Sequence, residues 1–314
     1  MLFFNKPKWS PHQHSVKKIL FVTLSNIGDV VLTTPTLEAL HQQYPEALID
    51  IVGDSRSEIL FKHCPYLGTF YRKEKRKGWR GILQLLSELR KNNYDLAVDL
   101  RSDGLLFLIK ARIKFHKLSN QSSLHLHSVE KHYAALRNKT SQAIPDPKIW
   151  LSSDERQTAD ILLSKYRTKH ILALGLGANF KGKIWPTHTF VSLARSLATH
   201  FDVVLLLGNQ QDSEIAEKFM MEYPFPVING CGRFNLLETT ALLEQANYFV
   251  GNDSGLGHLA SAIGTPTFTI FGVGQPCRYR PWGSNASWIQ EPKNDINLID
   301  SETVSLIIKQ KINC

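Results

Sequence analysis

The apolar residues of this 314-residue chain fall into short unbroken runs, separated by stretches in which apolar positions recur every three or four residues. Unbroken runs read as strands buried on both faces, and the longer recurrence reads as helices with one face on a core. In the first half, strands are predicted at 18–24, 48–52 and 96–100. One helix is predicted from the turn at 25–29 to about residue 43, and another around 82–91. The second half predicts strands at 170–174, 203–207, 248–250 and 267–271, with helices near 189–197, 213–221, 236–245 and 256–263. A last amphipathic helix, 302–311, follows. Both halves open alike, with a buried strand, a turn of small residues and a helix. Between them, 138–152 carries Pro145-Asp146-Pro147, which disfavours regular structure. The expected architecture is α/β: two Rossmann-like domains with parallel sheets, facing across a cleft. Their expected bounds are 17–145 and 146–314, after an N-terminal extension at 1–16.

Composition narrows the class. Hydrophobic residues make up 43% of the chain and charged residues 21%, which suits a globular protein and excludes long disorder or fibrous repeats. The longest apolar runs fall far short of the roughly 20 residues that span a bilayer. The N-terminus lacks an apolar core of secretory length, so a soluble, non-secreted protein is expected. Cys64, Cys231, Cys277 and Cys314 stand far apart with no C-x-x-C pair. That argues against structural zinc and a disulfide framework, and it suits a reducing cytosol.

Charge changes the picture further. The net charge is +9, but residues 1–150 hold 23 Lys/Arg against 13 Asp/Glu, so all of the excess lies in the first half. The densest run is Arg72-Lys73-Glu74-Lys75-Arg76-Lys77-Gly78-Trp79-Arg80. A single such run is usually a solvated loop. An asymmetry across a whole half points to an anionic partner: a phosphorylated ligand, acidic lipid or nucleic acid.

Three stretches carry candidate chemistry. Gly175-Leu176-Gly177-Ala178-Asn179-Phe180 begins like a dinucleotide fingerprint, but Phe180 replaces the third small residue. Gly177 with Gly182-Lys183 resembles a P-loop, yet Ile184 stands where a magnesium-binding hydroxyl belongs and Trp185-Pro186 follows. A nicotinamide or flavin cofactor and an NTPase are both disfavoured. A glycine- and lysine-rich loop after a strand still suits a phosphate. Further on, Asn252-Asp253-Ser254-Gly255-Leu256-Gly257-His258 runs from a strand into a helix, with Asp253 or Ser254 expected to cap it. Ser25-Asn26-Ile27-Gly28-Asp29 is the matching turn of the first half. Asp29 there is either a helix cap or a general base facing the second domain.

Ile27-Gly28-Asp29-Val30 with Thr33-Thr34-Pro35, the segment ending Lys183-Ile184-Trp185-Pro186, and Asp253-Ser254-Gly255-Leu256-Gly257-His258 resemble three signatures of glycosyltransferase family nine, the bacterial lipopolysaccharide heptosyltransferases. The resemblance covers roughly residues 17–290. It implies a GT-B fold, an acceptor-binding first domain, a second domain that binds ADP-heptose, and inverting transfer without metal or other cofactor. Carried over, Asp29 matches the catalytic aspartate, and Lys183 the lysine that contacts the diphosphate or the acceptor. Gly177, Asp253, Ser254, Gly255, Leu256 and His258 fall in the donor-binding signatures, and Asp212 matches an acidic residue that binds ribose. Asn26, His127 and Glu130 fall on the acceptor side. Ser261 departs from the family's usual alanine.

The implied acceptor is an acidic, lipid-linked oligosaccharide such as Kdo-bearing lipid A. The basic half would meet it, and could hold the enzyme on the anionic inner face of the inner membrane at roughly 1 kcal/mol per well-placed Lys or Arg. Two other readings stand beside this one: a GT-B transferase with a different nucleotide sugar, and a nucleic-acid-binding protein. The second rests on charge alone, since the basic half has neither an aromatic-interleaved RNA motif nor a helix-turn-helix, and no nucleic-acid partner is expected.

Overall fold

The computed structural model describes residues 16–101, 104–117, 126–136 and 143–312. Its first part runs β1 (Lys18–Val22), α1 (Ile27–Val31), α2 (Thr34–Gln43), β2 (Leu48–Gly53), β3 (Leu67–Arg72), α3 (Gly78–Leu89), β4 (Tyr94–Asp99), β5 (Ala111–His116) and α4 (Ser128–Tyr133). The second part runs α5 (Ser153–Leu163), β6 (Ile171–Gly175), α6 (Thr187–Ser196), β7 (Val203–Leu206), α7 (Ser213–Glu222), β8 (Val227–Asn229), α8 (Leu236–Glu244), β9 (Tyr248–Asn252), α9 (Gly255–Ala262), β10 (Thr267–Phe271), α10 (Pro276–Tyr279), β11 (Ala286–Gln290) and α11 (Ser301–Ile312).

Each part builds one wholly parallel sheet. The strand order is β3-β2-β1-β4-β5 in the first and β11-β10-β9-β6-β7-β8 in the second. In each, the chain starts in the middle, builds outward to one side, then returns to build the other. The crevice beside the first strand's C-terminal end is where such sheets bind ligands. β1 puts Ile19, Leu20, Phe21 and Val22 wholly out of water, and β6 does the same with Leu172, Ala173 and Leu174. Helices therefore cover both faces, as the continuous apolar runs require.

Several elements differ from expectation. The single helix predicted from 25–29 to residue 43 is two, α1 and α2. Pro35 has no N–H for the Val31 carbonyl, and the Thr34 hydroxyl donates to that carbonyl instead, at 2.8 Å. Thr33 likewise donates to the Val30 carbonyl at 2.7 Å, so the hydroxyls finish α1 while proline starts α2. Strands β3, β5, β8 and β11 join those expected, and α4, α5 and α10 are added helices. Ser152 and Glu155 cap α5 reciprocally. Past the expected domain boundary at 145/146, the chain keeps contact with the first domain. Lys148 N–H donates to the Thr34 hydroxyl at 2.9 Å, and Trp150 packs on Phe61 and Tyr66, so the chain stays on the first domain until the Ser152 cap.

Candidate active site

The first of two facing turns follows β1. Asn26 occupies the N-cap of α1 in extended conformation, but its side chain caps nothing. Its amide instead donates to the Asp29 carboxylate at 3.0 Å. Asp29 is the third residue of the helix, partly exposed, and is not the cap. A carboxylate in the first turn is favoured there by the helix dipole, yet it keeps lone pairs for another proton.

The second turn follows β9, at the crevice between β9 and β6. Asn252 is wholly buried and ties the site together. Its amide donates to the Leu176 carbonyl at 2.7 Å, and its oxygen accepts from Trp185 N–H at 3.0 Å. Trp185, buried with its indole N–H on the Ile299 carbonyl, fixes the loop that carries Lys183. Lys183 thereby meets Asp253, Nζ to Oδ2 at 2.5 Å, in a partly buried ion pair. The expectation that Asp253 or Ser254 caps the helix is corrected. Asp253 is engaged by Lys183, and Ser254 takes the N-cap position with no side-chain hydrogen bond to the helix. The first turn of α9 thus points into the crevice without a side-chain cap, a setting suited to a phosphate. Leu256 packs inward beside Gly175.

At the end of β6, a Cβ on Gly177 would fall 1.9 Å from Oδ1 of Asp212, so glycine there makes room for the carboxylate. Asp212 also accepts from Asn209 N–H at 2.8 Å, and burial raises its pKa above the usual value. Gly177 and Asp212 therefore adjoin each other beside the Lys183 crevice.

The two turns meet. Gly255 of α9 lies against Ile27 of α1, and the His258 ring lies so close to Gly28 that a Cβ there would fall 2.6 Å from Cδ2. His258 is buried, and its pKa drops to about 4, chiefly by desolvation, with Asp29 opposing and His127 and Lys183 adding to the fall. Among the described residues, Ser25 Oγ, Ser254 Oγ and His258 Nδ1 are buried polar atoms with no hydrogen-bond partner, and all three lie at this junction. Such orphans are costly inside a protein and mark a place for a ligand's polar groups.

The expected acceptor-side residues separate. Asn26 stands beside Asp29. His127 is buried, with Nδ1 accepting from Val129 N–H and Nε2–H donating to the Arg280 carbonyl at 2.9 Å, and its ring lies on Trp282. It joins the two domains. Glu130 caps α4 through His127 N–H. Lys117, which motif reading missed, follows β5. Its Nζ lies 3.4 Å from Nε2 of the buried, neutral His132, whose Nδ1–H donates to the Leu32 carbonyl. Burial pulls the Lys117 pKa down, Lys131 and Arg278 add to that, and Asp29 opposes it. Lys117 thus brings positive charge towards Asp29. Lys117 could have been found only by recognising β5 and reading its C-terminal end.

Two parallel α/β domains meet at their strand-to-helix turns, with a carboxylate on one and a lysine beside a helix N-terminus on the other, the arrangement of the GT-B fold. The profile of glycosyltransferase family 9 (heptosyltransferase) matches residues 82–302, more than two thirds of the chain. The chain is 28% identical over 292 residues to lipopolysaccharide heptosyltransferase 3 of Escherichia coli K12, covering 82% of this chain and 83% of that protein. Among solved structures, a family 9 glycosyl transferase from Veillonella parvula superposes with a TM-score of 0.85 at 20% identity, over 95% of this chain and 98% of the other. The E. coli ADP-heptose lps heptosyltransferase II gives 0.78 at 20% identity, over 93% and 98%. The chain belongs to glycosyltransferase family 9 and is a glycosyltransferase.

Proposed function

We propose that the protein transfers heptose from ADP-heptose to the inner core of lipopolysaccharide, with inversion and without a metal. The observation that supports this most is the meeting of the two turns, with the His258 ring of α9 against Gly28 next to Asp29, and Gly255 against Ile27. The names of the relatives favour the same donor and product class. In this reading, the ADP diphosphate lies on the uncapped start of α9 and Lys183, with Asp212 and Gly177 at the ribose. Lys183 turns part of its charge from Asp253 to the diphosphate, where it offsets the negative charge that grows as ADP leaves. Asp29, oriented by Asn26, takes the proton from the acceptor hydroxyl as its oxygen attacks the anomeric carbon from the face opposite ADP. The domain junction at Gly28 and His258 holds the two substrates in line.

The acceptor is read as an acidic, lipid-linked sugar, because Lys117 brings positive charge towards Asp29 and the first half carries the chain's excess of Lys and Arg. In this reading the work is done at the cytoplasmic face of the inner membrane, where the lipid-linked acceptor is anchored. The described residues include no helix long and apolar enough to cross a membrane, so contact with the bilayer would be peripheral. Incubation with ADP-heptose, UDP-sugars and GDP-sugars, each with lipid A core acceptor and with EDTA present, tests the reading. Transfer is expected from ADP-heptose alone and unaffected by EDTA. Faster transfer from a UDP- or GDP-sugar would overturn the donor, and activity restored only by added divalent metal would overturn the metal-independent route.

A further inference from the structure

The first domain exposes apolar side chains that its own core does not use. Along α3, Leu85, Leu86 and Leu89 are buried with Leu105, Leu106 and Ile109. Trp79, Ile82 and Leu83 stand three and four residues apart and so share a second stripe, and this one faces outward. Trp79 is 67% exposed and Leu83 55%. The turn Leu105–Leu108 adds Phe107, 78% exposed, and Leu108. Arg90, just past the end of α3, donates from Nε to the Leu108 carbonyl at 3.0 Å, so helix and turn form one surface. Isolated exposed apolar residues are ordinary, but five large ones on neighbouring elements mark an interaction surface.

The setting of this patch indicates what covers it. Arg72, Lys73, Arg76, Lys77 and Arg80 lead into and begin α3. Arg72 and Lys77 pair with Glu58 and Glu74, whereas the Arg80 guanidinium lies 5.7 Å from the Trp79 ring centroid. Tryptophan, phenylalanine and leucine beside arginine and lysine on a helix is the composition of surfaces that lie in the headgroup layer of anionic bilayers. The position agrees. The helix that follows a strand of a parallel sheet begins at the C-terminal edge, so Trp79 in the first turn of α3 lies on the edge that also carries Asp29. The Phe107 ring stacks on His116, the last residue of β5, on that same edge.

We propose that this face docks the protein on a bilayer containing anionic lipid, with Trp79, Ile82, Leu83, Phe107 and Leu108 in the headgroup layer and Arg76 and Arg80 on the lipid phosphates. The proposal rests on the transferase reading only in giving the docking a purpose: an acceptor anchored by its lipid then meets the edge where Asp29 lies.

Sedimentation of the full chain with vesicles tests it, using mixed phosphatidylcholine and phosphatidylglycerol, with pure phosphatidylcholine as reference. The chain is expected to sediment with the mixed vesicles and to leave them as salt rises. The double variant Trp79→Ser, Leu83→Ser should bind them at least about tenfold more weakly. Arg76→Gln with Arg80→Gln should weaken binding at least about tenfold at low salt. Both variants should bind ADP as the unaltered chain does, which shows that they fold. The proposal is overturned if the unaltered chain ignores mixed vesicles, or if the variants bind them equally well. It is also overturned if the patch instead joins two copies, seen as a dimer that the Trp79 variant dissolves, or if short RNA displaces the vesicles. Titration of ADP into the same samples keeps the readings apart: an unaltered chain that binds ADP but not the mixed vesicles sinks the docking and leaves the transferase reading standing.

Discussion

The turns after β1 and β9 occupy equivalent places in two similar sheets, yet they are built to opposite ends. After β9 the turn is over-determined. Asn252 holds two loops by buried hydrogen bonds, Trp185 is locked behind it, and Lys183 and Asp253 close on each other at 2.5 Å. After β1 the turn is sparse. Among the described residues, Asp29 takes one hydrogen bond, from the exposed Asn26, and no side chain caps α1. A rigid, electrostatically balanced crevice suits a donor whose diphosphate must be held in one place while its charge grows. A carboxylate with spare lone pairs suits a group that must accept a proton and give it up again. The difference fits the proposed division of labour, in which the second domain binds the donor and the first supplies the base.

Removing the reactive group should have the largest effect. Asp29→Asn keeps the shape and the contact with Asn26 but loses basicity, so kcat should fall about 100- to 10,000-fold, measured by ADP release with saturating acceptor. A variant retaining more than about a tenth of the normal rate would show that the sparse turn is not the reacting one. Next comes the binding side. Lys183→Met should lower kcat/KM about 100- to 1,000-fold, because the charge on the departing diphosphate then meets only the α9 N-terminus, and an unpaired Asp253 opposes it. Unchanged kcat/KM would mean that the ion pair serves the fold alone.

How much of this contrast could be read from residues alone differs between frame and site. The four unexpected strands, β3, β5, β8 and β11, are the outer strands of the two sheets. An outer strand lacks a neighbour on one side, so β3 and β5 are half exposed and carry no continuous apolar run. The inner strands, buried on both faces, were legible for the opposite reason. In the site, Asp29, Lys183, Asp253 and His258 are local motif residues and could be named. Their partners could not. The Lys183–Asp253 pair, the Asn252 clamp and the Gly28–His258 contact are tertiary, linking residues far apart in the chain. Asp253 and Ser254 were expected to cap because spacing speaks only for the helix, and spacing cannot register that Lys183 competes for the aspartate. Lys117 stayed hidden because it follows an outer strand.

The smallest effect concerns how the halves are joined. His127 links the domains through the Arg280 carbonyl, and burial lowers its pKa to about 4 from the usual 6.5. Its folded form is therefore neutral where an unfolded imidazole takes a proton. Below pH 6.5 the unfolded chain binds more protons, so this stability is whole above that pH and drains away as pH falls towards 4. His258, at about 4, and the buried His132, at about 3, act in the same direction. The melting temperature should be lower at pH 5 than at pH 7, with a shallower fall in His127→Gln. An unaltered slope in that variant would remove His127 from the joint.

The division of labour itself is tested most directly by titrating ADP into Asp29→Asn and Lys183→Met, with neither acceptor nor chemistry involved. Binding on the second domain alone predicts that Asp29→Asn keeps the normal Kd within about twofold, while Lys183→Met, having lost a charge-assisted contact, binds at least about tenfold more weakly. An Asp29→Asn variant that loses as much ADP affinity as Lys183→Met would place the nucleotide at the first turn and contradict the account.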